Sequence, residues 1–335
     1  MWTPLHDRLH KTLRHRGLLS KQQRLLVAVS GGQDSLCLAQ LLLDLQPKWR
    51  WELAIAHCNH QWRTDSAGNA SYVMQLAQQW GLPGYCVTAE TPPTSEAAAR
   101  QWRYEVLASL AQTHGYTAIA TGHTASDRAE TLLYNLIRGS GADGLQALTW
   151  QRALVPGVQL VRPLLEATRA ETAQFCHEAQ LTIWEDSTNQ DQSYARNRIR
   201  HDLLPYLQTH FNPQVEQALA QTAELLRAEV AFLETSAQHL REQANVYSVS
   251  PSTTEAQGLK RSVLRSAPLA LQRRVMRQVL QELMPSAPSF EHIEKLTALI
   301  TATNRSRTDP FPGGAIAEVE GDWIWIRKGR EKKAE

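Results

Sequence analysis

The sequence predicts an α/β protein: a parallel doubly wound sheet followed by a second, mostly helical domain. Three observations carry that expectation. Short apolar runs alternate with helix-length segments as far as Ile137, which is the pattern of βαβ units. Polar clusters follow the first, second and fourth of these runs, where an open parallel sheet places its ligand site. Past about residue 210, long helical stretches replace the strand-length runs.

In chain order, residues 4–19 form a short basic helix (Arg8, Lys11, Arg14, Arg16), read equally well as a solvated face or an RNA contact. Leu25 to Val29 is a buried strand that breaks at Ser30-Gly31-Gly32 into a helix through Leu43. Glu52 to His57 is the second strand, and Tyr72, Val73, Leu76 and Trp80 keep helical spacing over 66–80. Tyr85 to Thr88 is the third strand. The prolines of Thr91 to Ser95 cannot continue a helix, but Ser95 can cap the next one, Glu96 to His114. Tyr116 to Thr121 is the fourth strand, and Ala125 to Ile137 a helix. A short strand is expected at Gln159 to Val161, and Thr168 with Glu171 spells a capping box before a helix to Gln180. A helix spans 212–243, a polar link 246–258 and helical sequence 260–301; 315–327 reads as a hairpin. The expected domains are therefore 1–210 and 211–335, the second mostly helical.

Hydrophobic residues at 42% and charged residues at 20% exclude wholesale disorder. A net charge of +2 gives no global basic field, so any nucleic-acid surface must be a local patch. Cys37, Cys58, Cys86 and Cys176 stand apart without a CxxC pair, which argues against a zinc ribbon or all-cysteine iron–sulfur site and suits a reducing cytosol. The first sixteen residues lack the apolar core of a secretory signal, and no apolar run reaches membrane-spanning length. A soluble, cytoplasmic protein is expected.

The most informative stretch is Ser30-Gly31-Gly32-Gln33-Asp34-Ser35, between a strand and a helix. Two glycines let the backbone turn tightly and leave its N–H groups open to an anion at the positive end of the helix dipole. Ser30 and Ser35 add hydroxyl donors, and Asp34 can hold a magnesium ion against phosphate oxygens. A simple chain reversal is the competing reading of Gly-Gly, but Ser-Gly-Gly-x-Asp-Ser after an apolar strand is far rarer. Neither a Walker loop nor GxGxxG is present.

In Gly122 to Thr131, Asp127 and Glu130 share one helix face. Beside a phosphate loop they suggest magnesium ligands; alone, they would merely suit a helix N-terminus. His57-Cys58-Asn59-His60 with Arg63 lacks further ligands at zinc spacing, so a nucleotide-site or structural role is favoured. Glu96 and Arg100 suit an i,i+4 ion pair. Glu185 to Arg200 mixes acids with arginines, which can neutralise the charge that builds up in phosphoryl transfer or simply form a solvated surface.

The loop resembles that of the N-type ATP pyrophosphatases, and the segments together resemble the tRNA(Ile)-lysidine synthases. The resemblance rests on Ser30-Gly31-Gly32-x-Asp34-Ser35, His57-x-Asn59-His60-x-x-Arg63, Glu96-x-x-x-Arg100-x-x-Arg103-Tyr104 and Gly122-His123 through Asp127, Glu130 and Thr131. It continues through Arg138-Gly139-x-Gly141-x-x-Gly144-Leu145, Arg162-Pro163-Leu164 and the stretch from Glu185 to Arg200, in unbroken order over about 22–205. Arg128 and Ser126 depart from the family pattern, in which Gln or another polar residue and an acid or Asn are frequent. The second half matches only loosely, and the extra C-terminal domain of longer members is expected to be absent.

The resemblance implies the PP-loop ATPase fold, of the adenine nucleotide alpha-hydrolase-like kind. It implies that ATP adenylates C2 of the wobble cytidine in a CAU-anticodon tRNA(Ile), with magnesium, and that L-lysine then displaces AMP. Ser30, Gly31, Gly32, Gln33, Asp34 and Ser35 would bind ATP phosphates, and His57 and Asn59 would line the adenosine pocket. Asp34, Asp127 and Glu130 would hold the metal. Asp34, Asp127, Arg196 and Arg200 would be catalytic, and Arg100, Arg103, Arg138, Arg273 and Arg274 would contact tRNA, the last two in a basic row from Lys260 to Arg277. Oligomeric state stays open, a homodimer included. The nearest rival is another PP-loop tRNA-modifying enzyme such as a thiolase, and a more distant one is a non-catalytic RNA-binding protein.

Overall fold

The structure, a computed structural model, describes residues 2–184, 192–248 and 256–327. The chain forms two compact units, Met1–Leu226 and Arg227–Glu335. The break falls beyond 210 because the first turns of a long helix bond into the first unit. Glu216 accepts a hydrogen bond from Ser126, and Glu224 accepts from Arg16 and from the Trp150 indole, both at 2.8 Å.

The first unit opens with α1 (Pro4–His15), followed by β1 (Arg24–Ala28), α2 (Gln33–Trp49), β2 (Glu52–Asn59) and α3 (Ser66–Gln79). Next come β3 (Gly84–Thr88), α4 (Glu96–His114), β4 (Ala118–Thr121), α5 (Ala125–Ile137) and α6 (Ala142–Leu145). β5 (Gln151–Val155), β6 (Val158–Val161), α7 (Arg169–Glu178), α8 (Ala195–Arg198), a π-helical turn (Ile199–Leu203) and α9 (Leu204–His210) complete it, with the start of α10 (Val215–Ala244). The sheet order is β3-β2-β1-β4-β6-β5, parallel except for the terminal β5.

Side-chain alternation explains why this sheet is covered on both faces. Leu25, Val27, Ile55, Ala118 and Ala120 share one core with Leu9 and Leu13 of α1, Leu38 and Leu42 of α2, and Phe175 of α7. Their neighbours Leu26, Ala54, Ala56 and Ile119 share the other with Tyr104, Leu107 and Ala111 of α4. A one-residue slip would exchange the two sets, so the register of Leu26 with Ala54 and Ile119 is strongly fixed.

Helix starts follow the expected chemistry. Ser95 accepts from the Ala98 N–H, and Thr124 with Asp127 and Thr168 with Glu171 form capping boxes. The fourth strand begins at Ala118 rather than Tyr116, because the Tyr116 N–H is spent on the Ala111 carbonyl in closing α4. β5 was not expected. It is an exposed edge strand with little apolar signature, and only its Pro156-Gly157 turn announces it.

The second unit contains the rest of α10, with β7 (Asn245–Ser248), β8 (Ala256–Lys260), α11 (Arg261–Arg265), α12 (Leu269–Leu283), α13 (Phe290–Ala298), β9 (Ile316–Glu320) and β10 (Trp323–Arg327). Helices predominate in this unit, as expected, but they pack on a sheet larger than the single hairpin read from the sequence. The hairpin β9–β10 extends into a four-stranded antiparallel sheet, β7-β8-β10-β9, and β7 and β8 take up both ends of the 246–258 stretch that read as a polar link. The helical sequence of 260–301 is three helices, and its apolar faces (Leu264, Val275, Val279, Leu296) share a core with Leu259, Val319 and Ile324 of the sheet.

Candidate functional site

The carboxyl ends of β1, β2 and β4 open into a cavity of about 480 Å³ within the first unit. Ser30, Gly32, Gln33, Asp34, Ser35, His57, Asn59, Arg100, Arg103, Asp127, Glu130, Arg196 and Arg200 all line it. Segments far apart in sequence therefore converge on one wall-to-wall site. Gly31 sits just behind the lining, Arg138 projects from the exposed end of α5, and Arg273 and Arg274 belong to the second unit.

The loop before α2 is internally braced. The Ser35 hydroxyl accepts from the Ser30 N–H at 3.1 Å and donates to the Gly32 carbonyl at 2.8 Å. Gly31 has φ +90°, and a Cβ there would lie 2.3 Å from Asn69 Oδ1, so only glycine fits. Asn69 in turn donates to the Ser30 carbonyl at 2.9 Å. Across the loop, Gly122 is packed so closely on the first turn of α2 that a Cβ would meet the Asp34 carbonyl oxygen at 2.7 Å.

Asp34 lies at that first turn. One carboxylate oxygen accepts from Thr172 at 2.5 Å and the other faces Arg169 at 3.4 Å. Burial and then the Asp127 charge push its carboxyl up, against the pull of Arg169. Asp127 accepts from the N–H and hydroxyl of Thr124 at 2.7 and 2.9 Å. Burial would raise Asp127, but the Arg200 charge and the Thr124 N–H pull the other way, and the carboxyl is held below the usual range. Glu130 is buried, which pushes its carboxyl up, and Arg200 grips both of its oxygens at 2.6 and 2.8 Å. Arg200 stands on the π-helical turn, a local widening of the helix common at functional sites.

His57 Nδ1 lies 2.8 Å from the Val29 carbonyl, so that nitrogen carries the proton. Burial pushes His57 down and drives His123 down to about 3, so both imidazoles are neutral at physiological pH. Tyr104 is flanked by Arg100, Arg103 and Arg152, whose guanidinium carbons lie 5.0 to 5.8 Å from its ring. Among the described residues none of these three arginines forms an ion pair, so this wall carries uncompensated positive charge.

Several expectations change. Glu96 pairs with Arg196 at 2.8 Å rather than with Arg100, because α8 brings Arg196 alongside the start of α4. Arg274 is 9% exposed and bonded to Glu234 at 2.7 Å, and Arg261 is spent on the carbonyls of Ile300, Gly321 and Ala302. These two members of the Lys260–Arg277 row are held by partners within the second unit. Arg273 also has a partner, Glu294 at 2.7 Å. The unusual Arg128 points away from the site. Buried, it donates to the Leu148 carbonyl at 2.8 Å and lies over the Trp150 ring, while Ser126 caps the start of α7 through the Arg169 N–H. Of the acidic run expected at Glu185 to Asn189, all five residues lie outside the described ones.

Sequence reasoning missed Arg169, Thr172, Asn69 and Trp184. Each reaches the loop only through the fold, and Thr172 is separated from Asp34 by most of the unit. Among the described residues no group of three or more His, Cys, Asp or Glu gathers as a metal site, and all four cysteines are free thiols.

Residues 2–207 match the PP-loop domain family, and residues 259–328 match the TilS substrate binding domain family. The chain is 64% identical to a tRNA(Ile)-lysidine synthase of a Nostoc species over 99% of each chain. The chain belongs to the tRNA(Ile)-lysidine synthase family. A second member of the family, from a Synechocystis species, is 50% identical over 98% of this chain and 99% of its own length. Among solved structures, the U34-tRNA thiolase of Methanococcus maripaludis superimposes with a TM-score of 0.56 at 17% identity, covering 66% of this chain and 77% of that one. That likeness is one of fold alone.

Proposed function

We infer that this chain is an ATP-dependent ligase that joins lysine to C2 of the wobble cytidine in CAU-anticodon tRNA(Ile), forming lysidine. Full-length identity of 64% to a synthase of this name carries the reading, because it extends over the site and the second unit alike. Replacing the C2 carbonyl by lysine changes the pairing edge of the base, so the codon read becomes AUA instead of AUG. The work takes place on tRNA in the cytoplasm.

The chemistry divides into two displacements. The cytosine C2 oxygen attacks the α-phosphorus of ATP, the bond to the β-phosphate oxygen breaks, and pyrophosphate leaves. The lysine amine then attacks C2, AMP departs with the former carbonyl oxygen, and the amine loses a proton. The backbone N–H groups at the start of α2, with the Ser30 hydroxyl, hold phosphate oxygens, while Ser35 braces the loop through the Ser30 N–H and the Gly32 carbonyl. Neutral His57, its Nδ1–H fixed on Val29, offers Nε2 as an acceptor beside the adenosine.

The donors present fit magnesium. Asp34 and Asp127 line the same cavity, each within the other's field, and magnesium needs only one or two carboxylates beside phosphate and water. Those two residues would hold the ion, with Glu130 committed to Arg200; bound there, it would neutralise phosphate charge. Arg169, Arg196 and Arg200 add cations that stabilise the charge developing on the transferred group.

The test is incorporation of labelled lysine into unmodified CAU-anticodon tRNA(Ile) with ATP and magnesium, following AMP release. Incorporation that disappears in Asp34→Ala is the expected result. AMP release without incorporation would mean that a different nucleophile is used, and no AMP release at all would overturn the reading.

A further inference from the structure

One feature of the cavity is unused by this chemistry. Trp62 stands at its mouth, 40% exposed, with an apolar face and a polar edge. It is also held in place. Its Nε1–H donates to the Pro93 carbonyl at 2.7 Å, which fixes the ring by one edge. The His60 ring lies 5.6 Å from it at 34°, and Trp102 of α4 meets His60 edge-on at 5.0 Å. Gln61, between His60 and Trp62, adopts the left-handed φ of +59°, which a non-glycine side chain resists; the Asn59 side chain accepts its N–H at 3.0 Å. The loop is bent out of its preferred conformation to present an aromatic face.

Charge says what that face receives. Arg100 and Arg103, the latter next to Trp102 in sequence, line the same cavity and form no ion pair among the described residues, nor does Arg152 beside them. An aromatic surface beside unpaired guanidinium groups fits a ligand with flat faces and a polyanionic backbone, and single-stranded RNA has both. A neighbouring protein segment would offer acids to the arginines but no stack of flat rings for the indole.

Resting on the lysidine-forming reading, we propose that His60, Trp62 and Trp102 form a base-stacking platform at the cavity mouth. It takes an unpaired anticodon-loop base that flanks the reacting cytidine, while Arg100 and Arg103 face the connecting phosphodiester. A splayed loop would then be held open by the flanking base, leaving the cytidine free to enter the cavity.

The experiment compares the full chain with Trp62→Ala and Trp62→Phe, using an anticodon stem-loop RNA and copies carrying an abasic nucleotide at each position flanking the cytidine. RNA binding is read by fluorescence anisotropy, and lysidine formation by KM for RNA and for ATP. Trp62→Ala should weaken RNA binding and raise KM for RNA about tenfold to a hundredfold, with KM for ATP and kcat retained. Trp62→Phe should recover most of the loss. One abasic RNA should bind both the parent and Trp62→Ala equally weakly, because the stack is already gone. Unchanged RNA affinity in Trp62→Ala would overturn the proposal, as would a loss of the same size on every abasic RNA. Parent chain that binds the RNA with this pattern but forms no lysidine would uphold the platform and overturn the assigned reaction.

Discussion

The Arg200 guanidinium meets Glu130 through two hydrogen bonds, Nε to Oε1 at 2.6 Å and Nη2 to Oε2 at 2.8 Å, and the same Nη2 reaches Asp127 at 3.4 Å. One cation thus balances two carboxylates on the cavity wall. Arg200→Ala strands Glu130 at 3% exposure, a loss of about 3–5 kcal/mol for a broken buried pair. Denaturant unfolding should show that deficit, and lysidine formation should fall by about two orders of magnitude or more. Arg200→Lys keeps the charge but not the two-pronged grip, and should fall between the two.

Acidification should destabilise the chain in a defined window. His123 is driven down to about 3 from an ordinary 6.5, so between these values the unfolded chain binds a proton that the folded one refuses. Stability therefore rises with pH from about 3 to 6.5 and is lost on acidification below 6.5. One such group contributes at most about 1.4 kcal/mol per pH unit. His57, lowered chiefly by burial, acts in the same sense. Urea midpoints measured from pH 7 to 5 should fall, and His123→Gln should flatten the slope.

Gly122→Ala tests the seat of the phosphate loop. Its Cβ would sit 2.7 Å from the Asp34 carbonyl oxygen and 2.9 Å from the Ser35 nitrogen, both backbone atoms that cannot swing aside. We expect a stability loss of about 1–3 kcal/mol and a displaced first turn of α2. ATP affinity measured by calorimetry should weaken, and an unchanged affinity would mean that the turn absorbs a methyl group.

Arg274→Ala separates a structural arginine from an RNA-binding one. Its partner Glu234 is 46% exposed, so the pair is partly screened and its loss should cost about 1–2 kcal/mol. The slope of log affinity for RNA against log salt should stay as in the parent chain. A drop in that slope of about one would reveal a phosphate contact instead.

Chelation of divalent cations should stop AMP release in the presence of ATP, tRNA and lysine, and magnesium should restore it. Because Asp34 and Asp127 are the available carboxylates, Asp127→Asn should raise the magnesium concentration needed for half-maximal rate. Full activity in chelator would exclude the ion.

Much of the fold was legible because its signals are local. The loop from Ser30 to Ser35, the caps at Ser95, Thr124 and Thr168, and the alternation of apolar runs all depend on neighbours in sequence. What stayed hidden depends on partners far along the chain. Thr172 and Arg169 look like ordinary helix residues until α7 packs on α2 and brings them to Asp34. Glu96 and Arg100 satisfy an i,i+4 rule, yet Arg196 arrives with a better geometry. Arg261 and Arg274 read as a basic stripe, because sequence does not reveal which guanidinium groups will be buried against carbonyls or a carboxylate. β7 and β8 escaped because their strand character comes from the sheet they join rather than from their own composition.

The late strand β5 has a consequence for solubility. A parallel sheet that ended at β6 would offer a row of unpaired N–H and C=O groups to any passing chain. β5 runs antiparallel along that row, its register broken between Ala153 and Val155, and exposes Gln151 and Arg152 at the rim. A bulged edge bearing a charge is a poor template for strand addition, so this side of the sheet resists pairing with other molecules while the chain folds in a crowded cell. Arg152, which adds positive charge beside Tyr104, thus also serves as a guard against aggregation.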